Sequence, residues 1–356
     1  WLTRGVLGKT CDIEACSPNA MTLNDMLYAR YKSRSVVILA SLALLLAFFG
    51  TMVVQFVGGA RLLQTVTGLS YFQGLFIFAA TVGVYTTIGG FRAVVLTDTV
   101  QGVMMLIGTL LLLAGVIHAG GSLSQLVTQL HAIDPGLVKP YGPDGFISQP
   151  FILSFWVLVC FGVIALPHAA VRCMSYKDSR SLHKGMIIST VMMGVLMLGT
   201  HLAGALGRVI VPELESPDQI MPSLMMTVLP PMLAGIFLAG PMAAIMSTID
   251  SQLIQASATL LKDLYINYIN PEIVEGANAE RRLSRTSLWV TAIFAGLVFV
   301  AATKPPDMII WLNLLALGGL QAVFLWPLVF GLYWQKASAH GAIASMLSGL
   351  GCYIGL

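Results

Sequence analysis

Long runs of apolar residues, broken at intervals by short clusters of charge, glycine and proline, set the pattern of this chain. A helix needs about 20 mainly apolar residues to cross a bilayer, and such runs recur at 35–60, 71–90, 94–119, 150–171, 185–207, 231–261, 286–303 and 308–335. A ninth begins near 341 and continues to the end, as 341–356. The runs are continuous rather than alternating, which favours helices over the strands of a barrel. An all-α polytopic membrane protein is the predicted class. The sixth run is too long for one straight crossing, and Gly240 and Pro241 offer a kink within it.

Composition agrees. Hydrophobic residues make up 57% of the 356 positions and charged residues 10%, with a mean hydropathy of +0.84. Soluble domains carry about 25% charged residues, so a soluble enzyme, a nucleic-acid binder and a disordered chain are excluded. The net charge of +3 gives no reason to expect a polyanionic partner. The cysteines Cys11, Cys16, Cys160, Cys173 and Cys352 show no metal-binding or disulfide pattern. No phosphate-binding loop or nucleophile triad is visible. The chain opens on Trp1 and stops inside an apolar run at Leu356, which reads as a piece cut at both ends from a longer membrane protein.

Orientation follows from Lys and Arg in the short loops. If residues 1–34 lie on one side and the runs alternate, that side collects fifteen of the 19 basic residues. Only Arg61, Lys139, Arg208 and Lys304 fall on the other. Residues 1–34 are therefore expected to be cytoplasmic. Residues 120–149 and 211–230 read as external loops, the second with room for one short helix, and 262–285 as a solvated cytoplasmic connector.

Ionisable groups at membrane depth are expensive and point to function. Asp98 sits in a polar cluster with Thr97, Thr99 and Gln101, and suits either a helix-start acid favoured by the macrodipole or a cation path. Asp250 lies deeper, three residues after Ser247 and two after Thr248. On a helix, both hydroxyls reach back to the Ala244 carbonyl. Ala244, Ser247 and Thr248 then offer three oxygens of the kind a small hard cation takes. A stripe of small residues for close helix packing is the other reading of the same positions. His168 and His201 read as bonded structural groups rather than proton relays. Trp156 and Phe161 precede a Gly162/Pro167 interruption of the kind that forms transporter binding sites. They are candidates for a substrate wall, although five residues apart they diverge by about 140°.

Residues 85–101, with Tyr85, Thr86, Gly89, Gly90, Phe91, Arg92, Thr97, Asp98 and Thr99, resemble the signature of the sodium/solute symporter family. Pro167 to Arg172, Met246-Ser247-Thr248 ahead of Lys262-Asp263-Leu264-Tyr265, and Tyr333-Trp334 ahead of Gly341 agree in order. Segments 22–27, 54–63, 154–164 and 305–313 are most similar to the branch that carries pantothenate. The resemblance implies two inverted five-helix repeats with sodium and substrate between them. On that frame the first three runs are core helices three to five, and 150–171 through 308–335 are core helices six to ten. The unwound first helix would be absent and only the tail of the second would remain, near Trp1 to Leu7, so such a piece is not expected to transport alone.

The resemblance further implies sodium at Ser247, Thr248 and the Ala244 carbonyl, with Asp98 near the ion path; Asp250 has no counterpart in it. It implies a transporter of the cytoplasmic (inner) membrane rather than an enzyme, with sodium as coupling ion, pantothenate as partner, and no cofactor. A symporter for proline or another small solute, and the transporter-like core of a membrane sensor, are the alternatives.

Overall fold

The computed structural model describes residues 22–174, 178–214, 217–270, 273, 279–305 and 309–355; the side chains of 87–95, 171–174, 279–280 and 309 fall outside that description. Trp1 to Leu7, Cys11, Cys16 and the side chains of Gly89 to Arg92 therefore lie outside it too. Thirteen α-helices follow one another among the described residues, with no strand: α1 (Leu23–Tyr31), α2 (Arg34–Thr67), α3 (Tyr71–Ala119), α4 (Leu123–Ile133), α5 (Gln149–Cys160), α6 (Pro167–Met174), α7 (Ser179–Gly207), α8 (Ile220–Val228), α9 (Pro231–Phe237), α10 (Ala239–Ala258), α11 (Ala279–Ala302), α12 (Ile309–Tyr333) and α13 (Ala339–Gly355). Among the described residues, six stretches are long and apolar enough to cross a membrane, while Tyr71–Thr86 and Gln149–Cys160 are apolar but shorter.

Helix starts follow local chemistry. Thr22 and Asp25 form a reciprocal capping box at α1, as do Ser70 and Gln73 at α3. The Asp178 carboxylate caps α7 by accepting from the Ser181 N–H at 2.7 Å, and those backbone donors hold it below the usual carboxylate range. Gly68 ends α2 in the left-handed region at φ 70°, where glycine carries no steric cost.

Several elements differ from the sequence expectation. The runs at 71–90 and 94–119 share one stretch of helical backbone, α3, yet its two halves lie side by side along α2: Gly74 stands against Ala60, and the cluster of Leu112 and Val116 takes in Val66. A straight helix would set residues 74 and 116 about 63 Å apart, so the chain turns back between the halves. The fourth run is broken: α5 ends at Cys160, a 3₁₀ turn covers Gly162–Ala165, and α6 starts at Pro167. In the sixth run the break falls at Leu238, between α9 and α10, just ahead of Gly240 and Pro241. Residues 259–269 continue α10 as a wide π-type helix, with the Asn270 N–H reaching the Tyr265 carbonyl at 2.8 Å. The expected solvated connector is thus helical over its first residues, and Asp263 there is 1% exposed.

Two apolar clusters hold the helices together. The larger joins α1, α2, the first half of α3, α10, α11, α12 and α13 around Phe48, Phe56, Ile249 and Phe324. The smaller gathers the second half of α3 with α4, α7, α8 and α9 around Leu112, Leu206 and Leu224. Helices α2 and α3 approach closely because Gly59 lies against the Phe78 ring and Gly74 against the Ala60 carbonyl.

A cavity carrying an oxygen cluster

Helix α10 brings the three candidate oxygens together. Ser247 Oγ donates to the Ala244 carbonyl at 3.1 Å and Thr248 Oγ1 donates to the same carbonyl at 3.0 Å. These bonds exist because residues three and four apart stack on one helix face. Both hydroxyl oxygens keep lone pairs, and all three residues are half-buried. They lie on the wall of a cavity of about 870 Å³ between α2, α3, α7, α10 and α12. Its other polar groups include Gln55, Thr109, Thr200, His201 and Asn313. His201 Nδ1 bonds the Met197 carbonyl at 2.7 Å.

Asp250 is directed elsewhere. It is fully buried, does not line the cavity, and accepts from two hydroxyls of α3: Tyr85 Oη and, at 2.6 Å, Thr86 Oγ1. Neither partner is visible from the sequence, because 165 residues separate Tyr85 from Asp250 and nothing local links them. Helix α10 is also held from α2, where Thr51 Oγ1 donates to Gln252 Oε1 at 2.8 Å. Asp98 is half-buried on α3 and does not line this cavity either.

The aromatic candidates do not join the oxygen cluster. Trp156 is 61% exposed and Phe161 60% exposed, and neither lines the cavity. The break between them and Pro167 packs instead against α12, where Gly162 sits directly on the Gln321 amide. His168 stands beside Phe48, ring centroids 5.9 Å apart.

The charged ends separate cleanly. Arg61, near the end of α2, pairs with Asp218 at 3.0 Å. At the opposite end, Lys262 pairs with Asp25 at 2.6 Å, and Arg30 donates to the carbonyls of Gly331, Trp334 and Gln335 at 2.6–3.2 Å.

Comparison with known proteins agrees with this architecture. The chain is 57% identical over 354 residues to a sodium/pantothenate symporter of Haemophilus influenzae, covering 99% of this chain and 72% of that protein. It is 59% identical over 349 residues to a sodium/pantothenate symporter of Escherichia coli, covering 98% and 71%. A sodium/proline symporter of Staphylococcus aureus is 33% identical, covering 93% and 65%. In fold, the chain is similar to a Na+-coupled sialic acid symporter solved in a substrate-bound outward-open state, with a TM-score of 0.74 at 16% identity, over 100% of this chain and 82% of that one. The Sodium:solute symporter family profile matches residues 1–349, and with the relatives' identity and the shared fold this establishes that the chain belongs to the sodium:solute symporter family.

Proposed function

We propose that this chain carries sodium-coupled uptake of pantothenate across the cytoplasmic membrane, with residues 1–34 inside. The observation that carries the reading is the Ala244, Ser247 and Thr248 oxygen cluster on the wall of the large cavity. Hydroxyl and carbonyl oxygens without a fixed charge hold a small hard cation loosely enough to release it. The cavity volume falls within the roughly 300–1,000 Å³ of small-molecule sites. Gln55 and Asn313 offer amides to a small anion that itself carries hydroxyls and an amide. The pantothenate assignment rests on the relatives at 57% and 59% identity, and the proline symporter lies further off at 33%.

Sodium binds first and favours the outward-open state; substrate then closes the site, and rocking of the helix bundles releases both inside. A tenfold sodium gradient is worth about 1.4 kcal/mol per ion. Cytoplasmic placement of residues 1–34 is supported by the clustering of Arg30, Lys262 and their partners at the end of the bundle opposite Arg61.

Uptake of labelled pantothenate into proteoliposomes holding the intact transporter tests this. Uptake should need inward-directed sodium and should resist competition by excess proline. Equal uptake with potassium replacing sodium would refute the coupling, and competition by proline would reassign the substrate.

A further inference from the structure

We propose that Asp250 is a positioning residue for the cation: it fixes the helix that carries Ser247 and Thr248 against Tyr85 and Thr86, and so sets apparent sodium affinity without touching the ion. The inference rests on the sodium reading of Ser247 and Thr248 given above. Its geometry is specific. Thr248 and Asp250 are two residues apart, so their side chains diverge by about 160° when the turn is counted back to less than a half circle. Thr248 meets the cavity, while Asp250 is wholly buried against α3. Each carboxylate oxygen accepts from one hydroxyl, Tyr85 on Oδ2 and Thr86 on Oδ1. Thr86 is itself 3% exposed.

Two donors on consecutive residues meeting the two oxygens of one carboxylate fix rotation as well as distance. A single bond would fix the distance but constrain rotation about the α10 axis less. Turning α10 is the motion that would carry Ser247 and Thr248 away from the cavity wall. The Thr51–Gln252 bond holds the next turn of the helix from the other side. Tyr85 and Thr86 begin the signature stretch noted in the sequence, and in this arrangement these two signature residues hold the cation helix in register. A carboxylate suits this role better than an amide, because both of its oxygens accept, whereas an amide presents one acceptor and one donor.

The test is sodium dependence of uptake by the intact transporter in proteoliposomes. Tyr85→Phe and Thr86→Val remove one donor each with little change of shape. Each should raise the sodium concentration for half-maximal uptake roughly threefold to tenfold, the range of interhelical hydrogen bonds in membranes. The maximal rate at saturating sodium should change less. Asp250→Asn, which keeps one acceptor, should fall between wild type and Asp250→Ala. Adding Tyr85→Phe to Asp250→Ala should shift sodium dependence no further, because the partner is already gone.

A lower maximal rate with unmoved sodium dependence would make Asp250 merely structural and overturn the proposal. So would additive effects in the double variant. A shift for Asp250→Asn larger than that for Ser247→Ala would make the carboxylate a direct ligand, which also overturns it. Ser247→Ala separates the two readings: if it shifts sodium dependence while Tyr85→Phe and Thr86→Val do not, only the positioning role falls. If Ser247→Ala leaves sodium dependence unmoved, the sodium reading falls and the positioning role with it. Should Asp250→Ala fail to reach the membrane, Tyr85→Phe and Thr86→Val decide the matter.

Discussion

The Thr22 hydroxyl donates to Asp263 Oδ1 at 3.0 Å while it accepts the Asp25 N–H at 3.2 Å. One oxygen therefore both starts α1 and supplies a donor to a buried carboxylate 241 residues further on. Asn24 Nδ2 donates to the other carboxylate oxygen at 2.7 Å, and Lys262 reaches Asp25 beside them. Thr22→Ala removes the cap and leaves Asp263 short of a donor, and should cost about 1–3 kcal/mol. Thr22→Ser keeps both bonds and should stay near wild type. Thermal unfolding of the purified transporter in detergent, followed by size exclusion, separates the two.

Sodium dependence should respond to α10 residue by residue. Ser247→Ala and Thr248→Ala each delete one oxygen from a small set, and each should raise the half-saturating sodium concentration by roughly fivefold to a hundredfold, from about 1–3 kcal/mol. Substrate affinity should weaken at limiting sodium and recover at saturation, because coupling is reciprocal. Ser251 Oγ donates to the Ser247 carbonyl at 2.8 Å, so Ser251→Ala should do much less. Unchanged sodium dependence in both single variants, at normal expression, would make this stripe helix packing.

Substrate dependence should divide along the cavity wall. Gln55→Ala and Asn313→Ala remove amides that line it and should raise half-saturating pantothenate several-fold, a loss of about 1 kcal/mol per hydrogen bond. Trp156 is 61% exposed and does not line this cavity, so Trp156→Ala should leave that value within about twofold, well under the 1.4 kcal/mol of a tenfold change. The reverse ranking would move the substrate site to the α5 face.

Helix contact can be tested at glycine. A Cβ on Gly74 would stand 2.8 Å from the Ala60 carbonyl oxygen, an atom fixed in the backbone of α2. Gly74→Val should destabilise by about 1–3 kcal/mol through overpacking. Gly83 has nothing within 4 Å of its Cβ position, and Gly83→Ala should melt at or slightly above wild type, as alanine is the better helix former.

Much of this architecture is legible in the sequence because it is local. The apolar runs mark the helices, the 244/247/248 spacing places three oxygens on one face, and Gly162 with Pro167 brackets the break that separates α5 from α6. What stays hidden depends on residues far apart along the chain. Asp250 is visible as a buried acid, but its partners sit on α3. Lys262 and Asp263 look like loop charges because their partners, Thr22, Asn24 and Asp25, lie near the start of the chain. Trp156 and Phe161 stand away from the oxygen cluster, and aromatic spacing alone does not say which cavity a helix face meets.

Helix α1 also bears on the order in which the protein assembles. Nine residues are too few to hold a helix alone in water, so α1 depends on what it touches. One of its partners is near, the Ser41 hydroxyl of α2 that accepts from Asn24 at 2.9 Å, but Lys262, Asp263, Pro327 and Gly331 follow more than two hundred residues later. At roughly 5–20 residues per second, synthesis of the 301 residues between Arg30 and Gly331 takes about 15–60 s. Until then α1 has only α2 to lean on, through Asn24 and Ser41, and the far contacts that complete its surroundings close last.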